Sequence, residues 1–250
     1  MTFWEMVAVF LAGTAAGTIN TVVGSGTLIT FPTLLALGVS PVTANVSNNI
    51  GLVPGSLSGA YGYRRELEGQ RDRLKRLGPA SVLGGLTGAV LLLQLPSEAF
   101  DSIVPALILV GVLLVLFQPV INKRLARRGD RPEHGAAWVW VLVFLAGIYG
   151  GYFGAAQGVL LMAVLGVGLH ESMQRNNATK NVLAALVNGV AAVVFIAVAD
   201  VDWKIVALIA VGSTIGGQLG ATVGRKLSPT LLRVVIVLVG VTAVVAFLLD

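Results

Sequence analysis

Amide side chains and one lysine lie inside apolar stretches of this chain, and they are the residues best suited to hold a solute. They form two sets on predicted helix faces: Asn45, Asn48 and Asn49, then Asn177, Lys180 and Asn181, 132 positions later. Such groups are costly in an apolar segment unless they are satisfied. Two matched sets predict a shared central cavity. The alternatives are that the amides only join helices, or that Asn45 and Asn177 cap helix starts.

Two glycine-rich breaks interrupt the apolar runs at corresponding places. The first contains Asn20, Thr21, Gly24, Ser25, Gly26 and Thr27, and the second contains Gln157 and Gly158. A helix that restarts after a break presents free backbone N–H groups and the positive end of its dipole, which together favour an anion. We therefore predict that both breaks line a substrate site, with the N–H groups after Gly24 and Gly158 on the anion's oxygens. A tight turn without a ligand is the alternative.

Lys180 makes the two sets unequal, because the first set has Asn48 at the matching position. If Lys180 faces the cavity, it gives the site a positive charge. The alternative is that its ammonium reaches the aqueous end of its helix. None of the twelve Asp and Glu residues stands in the middle of an apolar run. A cation site lined by carboxylates is therefore not expected, and a small oxyanion fits the available groups better.

The residue patterns of common enzymes are absent from the sequence. Cysteine does not occur, the histidines His134 and His170 are far apart, and no phosphate-binding loop ends in Gly-Lys-Ser/Thr. We predict a protein that is not an enzyme, with no catalytic residue, no metal and no cofactor.

The composition indicates how these residues are positioned. Of 250 residues, 56% are hydrophobic and only 12% are charged, about half the charged fraction of a soluble domain. The formal net charge of +5 comes from basic residues in short loops, which argues against nucleic-acid binding and for a role in setting membrane orientation. The composition therefore predicts an all-α integral membrane protein.

Ten apolar segments follow one another along the chain, and eight are long enough to cross a bilayer. The segments at 27–37 and 159–167 are too short, and each follows a glycine-rich break, so each is predicted to be part of a broken or re-entrant helix. The first apolar stretch lacks the basic start of a signal peptide, and we expect it to be retained.

An internal repeat divides the chain. The asparagine sets recur at an offset of 132, as do Gly84-Gly85 with Gly216-Gly217 and Gly26 with Gly158, and Phe10–Gly13 matches Phe144–Gly147 at 134. We predict a first repeat at 1–122, a basic linker at 123–135 and a second repeat at 136–250. Five segments per half is an odd number, so the two copies would have inverted topology, as in many secondary transporters with broken helices near the midplane.

The charges predict an orientation. Basic loops alternate with acidic turns along the whole chain. The positive-inside rule places the basic loops in the cytoplasm and both termini outside, in the inner (cytoplasmic) membrane.

The stretch 17–49, with its Gly24-Ser25-Gly26 turn, Phe31-Pro32 and the segment 44–49, resembles the first repeat of the TauE/SafE sulfite exporter family, also called the toluene-sulfonate uptake permease family. The stretch 147–181 resembles the second repeat. The resemblance covers essentially the whole chain and implies transport of sulfite, sulfonates or related organosulfur anions. The second half departs from the first, since it has no proline matching Pro32 and reads Ala-Gln-Gly at the break.

Together these observations predict a secondary transporter of small anions, sulfite or sulfonates on the resemblance, that works by alternating access. The alternatives are an anion channel and a membrane scaffold that transports nothing. The expected partners are the lipid bilayer, the small anion, a coupling ion (H⁺ or Na⁺) and a second copy in a homodimer, with no nucleic acid.

Overall fold

The computed structural model describes residues 1–125, 136–223, 226 and 229–249. Most of the predicted linker 123–135 therefore lies outside the described residues. Within them the chain forms one short 3₁₀ helix, Arg64–Leu67, ten α-helices and no strand. The α-helices are α1 Phe3–Val22, α2 Thr27–Ala36, α3 Pro41–Gly62, α4 Arg71–Gln94, α5 Ser97–Leu125, α6 Ala137–Tyr152, α7 Gln157–Gly168, α8 Met173–Val198, α9 Trp203–Thr222 and α10 Pro229–Leu249.

The helices are those of a membrane protein. Five stretches are long and apolar enough to cross a bilayer: Phe3–Val22, Arg71–Gln94, Ser102–Val120, Met173–Val198 and Trp203–Thr222. Large apolar side chains such as Leu11, Leu57 and Val193 are exposed on the outside of the bundle, where a soluble protein would carry charge. The prediction of an all-α integral membrane protein is confirmed.

The contacts of four glycines show that α1, α3 and α9 run in the same direction. Gly13 and Gly17 of α1 lie against Ile209 and Ser213 of α9, and Gly51 and Gly55 of α3 lie against the same two residues. Small residues at this spacing allow helix backbones to approach closely in a membrane. Residue numbers increase in the same direction along all three helices at these contacts. The helices are therefore parallel and begin on one side of the molecule. We call it the Asp202 side, after the residue that caps α9.

Helices α4, α6 and α8 begin on the opposite side. Gly84 and Gly88 of α4 lie against Phe144 and Ile148 of α6, and Gln70, just before α4, bonds to the carbonyl of Arg175 near the start of α8. The 3₁₀ helix joins the end of α3 directly to the start of α4, so this second set starts where the first set ends. We call this the Arg73 side. Corresponding helices of the two halves thus run in opposite directions, which supports the inverted-repeat prediction without establishing a repeat.

The packing changes one predicted alignment. Gly216 of α9 lies against Thr14, whereas Gly84 of α4 lies against Phe144; Gly220 lies against Thr18, whereas Gly88 lies against Ile148. Positions in α1 and α6 therefore correspond at an offset of 130. The predicted match of Phe10–Gly13 with Phe144–Gly147 at 134 is wrong by one helical turn, because four letters of similar apolar sequence do not fix a helix register.

Helices α2 and α7 turn the chain back. They contain 10 and 12 residues, about 15 to 18 Å of helix, or half a bilayer core. Since α1 and α3 begin on the same side, α2 has to return the chain toward the Asp202 side, and α7 returns it in the same way toward the Arg73 side. This course of the chain agrees with the prediction that both segments are re-entrant.

Candidate substrate site at two helix breaks

The two helix breaks touch each other. Gly24 follows α1 with a φ of +92°, a conformation that favours glycine. Its carbonyl oxygen accepts a 3.0 Å hydrogen bond from the N–H of Gly158 in the first turn of α7. A Cβ on either glycine would overlap the Cα of the other. The tight contact therefore brings the starts of α2 and α7 together inside the bundle.

The start of α2 presents unpaired donors. Among the described residues, no acceptor is recorded for the backbone N–H of Ser25, Gly26 or Thr27, whereas Leu28 and Ile29 donate to the carbonyls of Ser25 and Gly26. The hydroxyl of Ser25 is fully buried and also has no partner. Buried polar groups are nearly always paired, so this cluster of donors lacks an acceptor.

Gln157 brings a further donor from the other half. It directly precedes Gly158, its side chain is buried against Gly150, and its Nε2 has no partner. The two halves contribute unequally in their backbone. The N–H of Gly158 is already bonded to Gly24, and Val159 donates to the carbonyl of Ala156. The predicted role for N–H groups after Gly158 thus has less support than that for the groups after Gly24.

Lys180 points into the protein and not toward the aqueous end of its helix. Its Nζ is 2.9 Å from the carbonyl oxygen of Asn20 and 3.1 Å from that of Thr21, at the C-terminal end of α1, and the residue is 1% exposed. A cation is favourable at the negative end of a helix dipole. Within the described residues, no carboxylate lies within salt-bridge distance of this ammonium.

The amides near Lys180 bind the same end of α1. Nδ2 of Asn177 and Nδ2 of Asn181 donate to the carbonyl oxygen of Thr21 at 3.1 and 3.3 Å. In the other half, Nδ2 of Asn45 donates to the carbonyl oxygen of Tyr152, at the end of α6. Amides of both sets thus cap a broken helix of the opposite half: Asn45 caps α6, and Asn177 and Asn181 cap α1.

Asn48 differs from Lys180 in its partners. Its Nδ2 donates to Oγ1 of Thr27 at 3.2 Å, and its Oδ1 accepts a short hydrogen bond from the hydroxyl of Thr30. Asn48 therefore joins α3 to the re-entrant helix α2. In these contacts the amide serves as the helix joint that the sequence left as an alternative.

The structure thus groups nine of the predicted residues into two clusters. Ser25, Gly26 and Thr27 form the unpaired start of α2 beside Gln157. Asn20 and Thr21 accept from the set Asn177, Lys180 and Asn181. Oδ1 of Asn49 and Oδ1 of Asn177 are buried without a partner.

Sequence reasoning did not select three hydroxyls. Thr30, Tyr149 and Tyr152 are at the breaks, and among the described residues the buried hydroxyl of Tyr152 has no partner. Thr30 stands one turn after Thr27 on the same face of α2, which the sequence could have indicated. Within the described part of the chain, no three acidic or histidine side chains come close enough together to hold a metal ion.

A family model provides the identification. The model described as "Sulfite exporter TauE/SafE" matches residues 9–247, nearly the whole chain. The chain belongs to the TauE/SafE family. The resemblance seen in the two glycine-rich stretches is thereby confirmed.

Curated relatives of this TauE/SafE chain have similar names. It is 26% identical to "Probable membrane transporter protein YfcA" of Escherichia coli (strain K12), over 96% of this chain and 88% of the relative. It is 28% identical to a "Probable membrane transporter protein" of Haemophilus influenzae, over 92% and 89%, and 25% identical to "Probable membrane transporter protein ORF9" of Sinorhizobium sp, over 100% and 95%. The chain is therefore a multi-pass membrane transporter, and the predictions of a transporter and of a protein that is not an enzyme are confirmed. The alternative of a non-transporting scaffold is wrong.

Proposed function

We propose that this transporter carries a small oxyanion, sulfite or an organosulfonate, bound where the two helix breaks meet. The observation that carries the proposal is the fully buried hydroxyl of Ser25, which has no partner at the start of α2. Among the described residues, the backbone N–H groups of Ser25, Gly26 and Thr27 also have no acceptor. Oxyanions accept hydrogen bonds from this combination of helix N-terminus and hydroxyl.

The charge around the site agrees with an anionic substrate. Lys180 is buried against two carbonyls with no carboxylate at salt-bridge distance among the described residues. A buried charge without a counter-ion is costly. A bound oxyanion near the breaks would supply part of that missing negative charge.

Alternating access would expose this site to each side in turn. On the Asp202 side, an open depression of about 510 Å³ is lined by Thr43 and Asp200–Lys204. On the Arg73 side, Arg73 and Arg175 form ion pairs with Glu171. Arg175 is 132 positions after Thr43, so these ion pairs lie where the depression lies on the other side. We propose that the Arg73 side is cytoplasmic, in agreement with the basic loops, and that the inverted halves rock against each other.

The test is uptake of radiolabelled sulfite into proteoliposomes, with an organosulfonate as competitor and choline as a cationic control. Ser25→Ala removes one donor from the site, and Gln157→Met removes another with little change in volume. Ser81→Ala is the matched control, because Ser81 in α4 is also fully buried with an unpaired hydroxyl. We expect the KM for sulfite to rise at least tenfold in Ser25→Ala and to stay unchanged in Ser81→Ala.

Two results would overturn parts of the proposal. Equal KM values in Ser25→Ala and Ser81→Ala would show that sulfite does not bind at the helix breaks. Flux that does not saturate and shows no counterflow would identify a channel and not a carrier.

A further inference from the structure

Glu171 is held between two arginines in the connection from α7 to α8. Its Oε1 accepts from Nη1 and Nη2 of Arg73 at 3.1 and 3.2 Å, and its Oε2 accepts from Nε of Arg175 at 2.7 Å. Both carboxylate oxygens are thus occupied by guanidinium donors from two different helices, α4 and α8. Charge-assisted hydrogen bonds from guanidinium groups to oxygen atoms are also the bonds with which arginines hold other oxyanions.

Groups other than Glu171 also position the two arginines. Arg73 donates from Nη1 to Oε1 of Gln70, and Arg175 donates from Nη1 to the carbonyl oxygen of Glu68 at 3.0 Å. Gln70 in turn donates to the carbonyl of Arg175 at 3.0 Å. The arginines would therefore stay near their places if the carboxylate moved away, and they would leave a pocket with two positive charges.

The fold does not require this arrangement, as the Asp202 side demonstrates. At the offset of 132, the positions of Glu171, Arg175 and Arg73 correspond to Val39, Thr43 and Ile205. None of these is charged, and at that end of α3 the N–H of Asp202 donates a hydrogen bond to the hydroxyl of Ser47. The three charges on the Arg73 side are therefore an addition to the common architecture.

Hydrogen bonds connect Arg73 to α8 at the residue before Lys180. The hydroxyl of Thr179 donates to Oε1 of Gln70 at 2.8 Å, and the same oxygen accepts from Arg73. Thr179 is fully buried and directly precedes Lys180 in α8. The arginine pair thus lies at the Arg73-side entrance to the proposed substrate site.

We propose that Arg73 and Arg175 form a second oxyanion site at this entrance, and that Glu171 fills it as a tethered carboxylate until a substrate oxyanion displaces it. The inference rests on the proposed function, since the ligand is the same class of anion. Displacement frees the α7–α8 connection from α4, so arrival of an anion on the Arg73 side opens the path that the ion pairs close.

The first test is sulfite binding to the purified full-length chain by isothermal titration. Glu171→Gln keeps the shape of the side chain and removes the competing negative charge. We expect it to reveal a second sulfite per chain, or to tighten the weaker of two sites at least tenfold. Glu68→Gln is the control for net charge, because Glu68 is exposed on the same surface and contributes only its backbone to Arg175.

Conservative variants identify the groups that bind the second sulfite. Arg73→Lys and Arg175→Lys keep the charge and lose the forked donor geometry. Placed in the Glu171→Gln protein, each is expected to weaken the added site at least fivefold. Unchanged binding in both would overturn the assignment to the arginines.

A second measurement tests the opening step and does not depend on affinity. The chain has no cysteine, so one introduced cysteine provides a single thiol. Thr179→Cys places it inside the protein near the Arg73 side, and Ser47→Cys places it near the Asp202 side. When Glu171→Gln is added to Thr179→Cys, we expect a charged thiol reagent to modify the thiol at least five times faster. When Glu171→Gln is added to Ser47→Cys, we expect no increase in the modification rate. Equal rates at 179 with and without Glu171 would overturn the role of Glu171 as a closure.

The outcomes separate the two proposals. If Ser25→Ala abolishes the sulfite site of the wild type while Glu171→Gln adds none, the entrance site fails and the proposed function stands. If Glu171→Gln gains a site that needs both arginines while Ser25→Ala behaves as Ser81→Ala, the central site fails and the entrance site stands.

Discussion

The backbone N–H of Gly158 donates to the carbonyl oxygen of Gly24 at 3.0 Å, which joins two helix breaks from opposite halves of the chain. The bond fixes the start of α7 against the end of α1, and the unpaired donors at the start of α2 follow directly. Because the contact is made between backbones, it depends on the absence of side chains at both positions. Changes at these glycines are therefore expected to damage the site and the fold together.

Gly158→Ala is expected to lower stability, because the added Cβ overlaps the Cα and carbonyl of Gly24. Overpacking against backbone costs on the order of 3 kcal/mol. Gly166→Ala is the matched control in the same helix, since nothing lies within 4 Å of its Cβ position. We expect the midpoint of thermal unfolding in detergent to fall in the first variant only. Similar midpoints for both would mean that the two breaks do not touch.

Gly24→Ala separates close contact from backbone strain. Gly24 and Gly38 both have positive φ, but only Gly24 faces another backbone, while a Cβ on Gly38 meets nothing within 4 Å. Strain alone costs about 1 kcal/mol. We expect Gly38→Ala to lower the free energy of unfolding by about that amount and to keep sulfite transport. Gly24→Ala should lose more stability and most transport activity. Loss of transport in both would point to strain as the cause.

Lys180→Met is expected to reduce sulfite affinity at least tenfold, because it removes the positive charge beside the proposed site. Asn181→Leu is the control, since Asn181 also donates to the carbonyl oxygen of Thr21 but carries no charge. Titration of the purified variants with sulfite measures both. If Asn181→Leu lost as much affinity as Lys180→Met, Lys180 would support sulfite binding by its hydrogen bonds to the end of α1 and not by its charge.

Asn48→Ala is expected to loosen α2. The amide bonds to both Thr27 and Thr30, so its removal leaves two buried hydroxyls with fewer partners and costs about 1–3 kcal/mol. Thr33→Ala should have little effect, because within the described residues its hydroxyl bonds to the carbonyl of Ile29 in its own helix and to no other helix. Hydrogen exchange of α2 amides compares the two. Equal exchange in both variants would exclude Asn48 as the joint between α2 and α3.

The ion pairs of Glu171 predict a dependence of stability on pH. Burial raises the pKa of Glu171, but hydrogen bonds from Arg175 and Arg73, and their charges, lower it by more, so the pKa lies below its usual value. A depressed pKa in the folded state means that the carboxylate stabilises the fold above the unfolded pKa of about 4.3. That contribution is lost as the pH falls through the folded value.

The check compares unfolding of the wild type with that of Glu171→Gln across pH. We expect the wild type to be the more stable protein above about pH 5 and its advantage to shrink below about pH 4. Glu68→Gln, which removes an exposed carboxylate, should show no such change. An advantage that stays constant with pH would mean that the carboxylate charge is not what holds α4 to α8.

The sequence alone determined the class of protein and its segments. Low charge and long apolar runs leave a bilayer as the only medium in which these helices expose so much apolar surface. Glycine-rich breaks indicated where α1 and α6 end, since glycine relaxes the local backbone whatever surrounds it. The motif of the first break also resembled the family that the whole-chain match then confirmed. These signals are local, so they can be read from neighbouring letters.

Only the tertiary structure decided what each polar residue does. Asn48 and Lys180 stand at matching positions, yet one bonds to hydroxyls of α2 and the other to carbonyls of α1. Arg73 meets Glu171 across 98 positions of sequence. Such partners depend on which helices pack together and in which register. That packing arises from many weak contacts along whole helix faces, and no short pattern of residues encodes it.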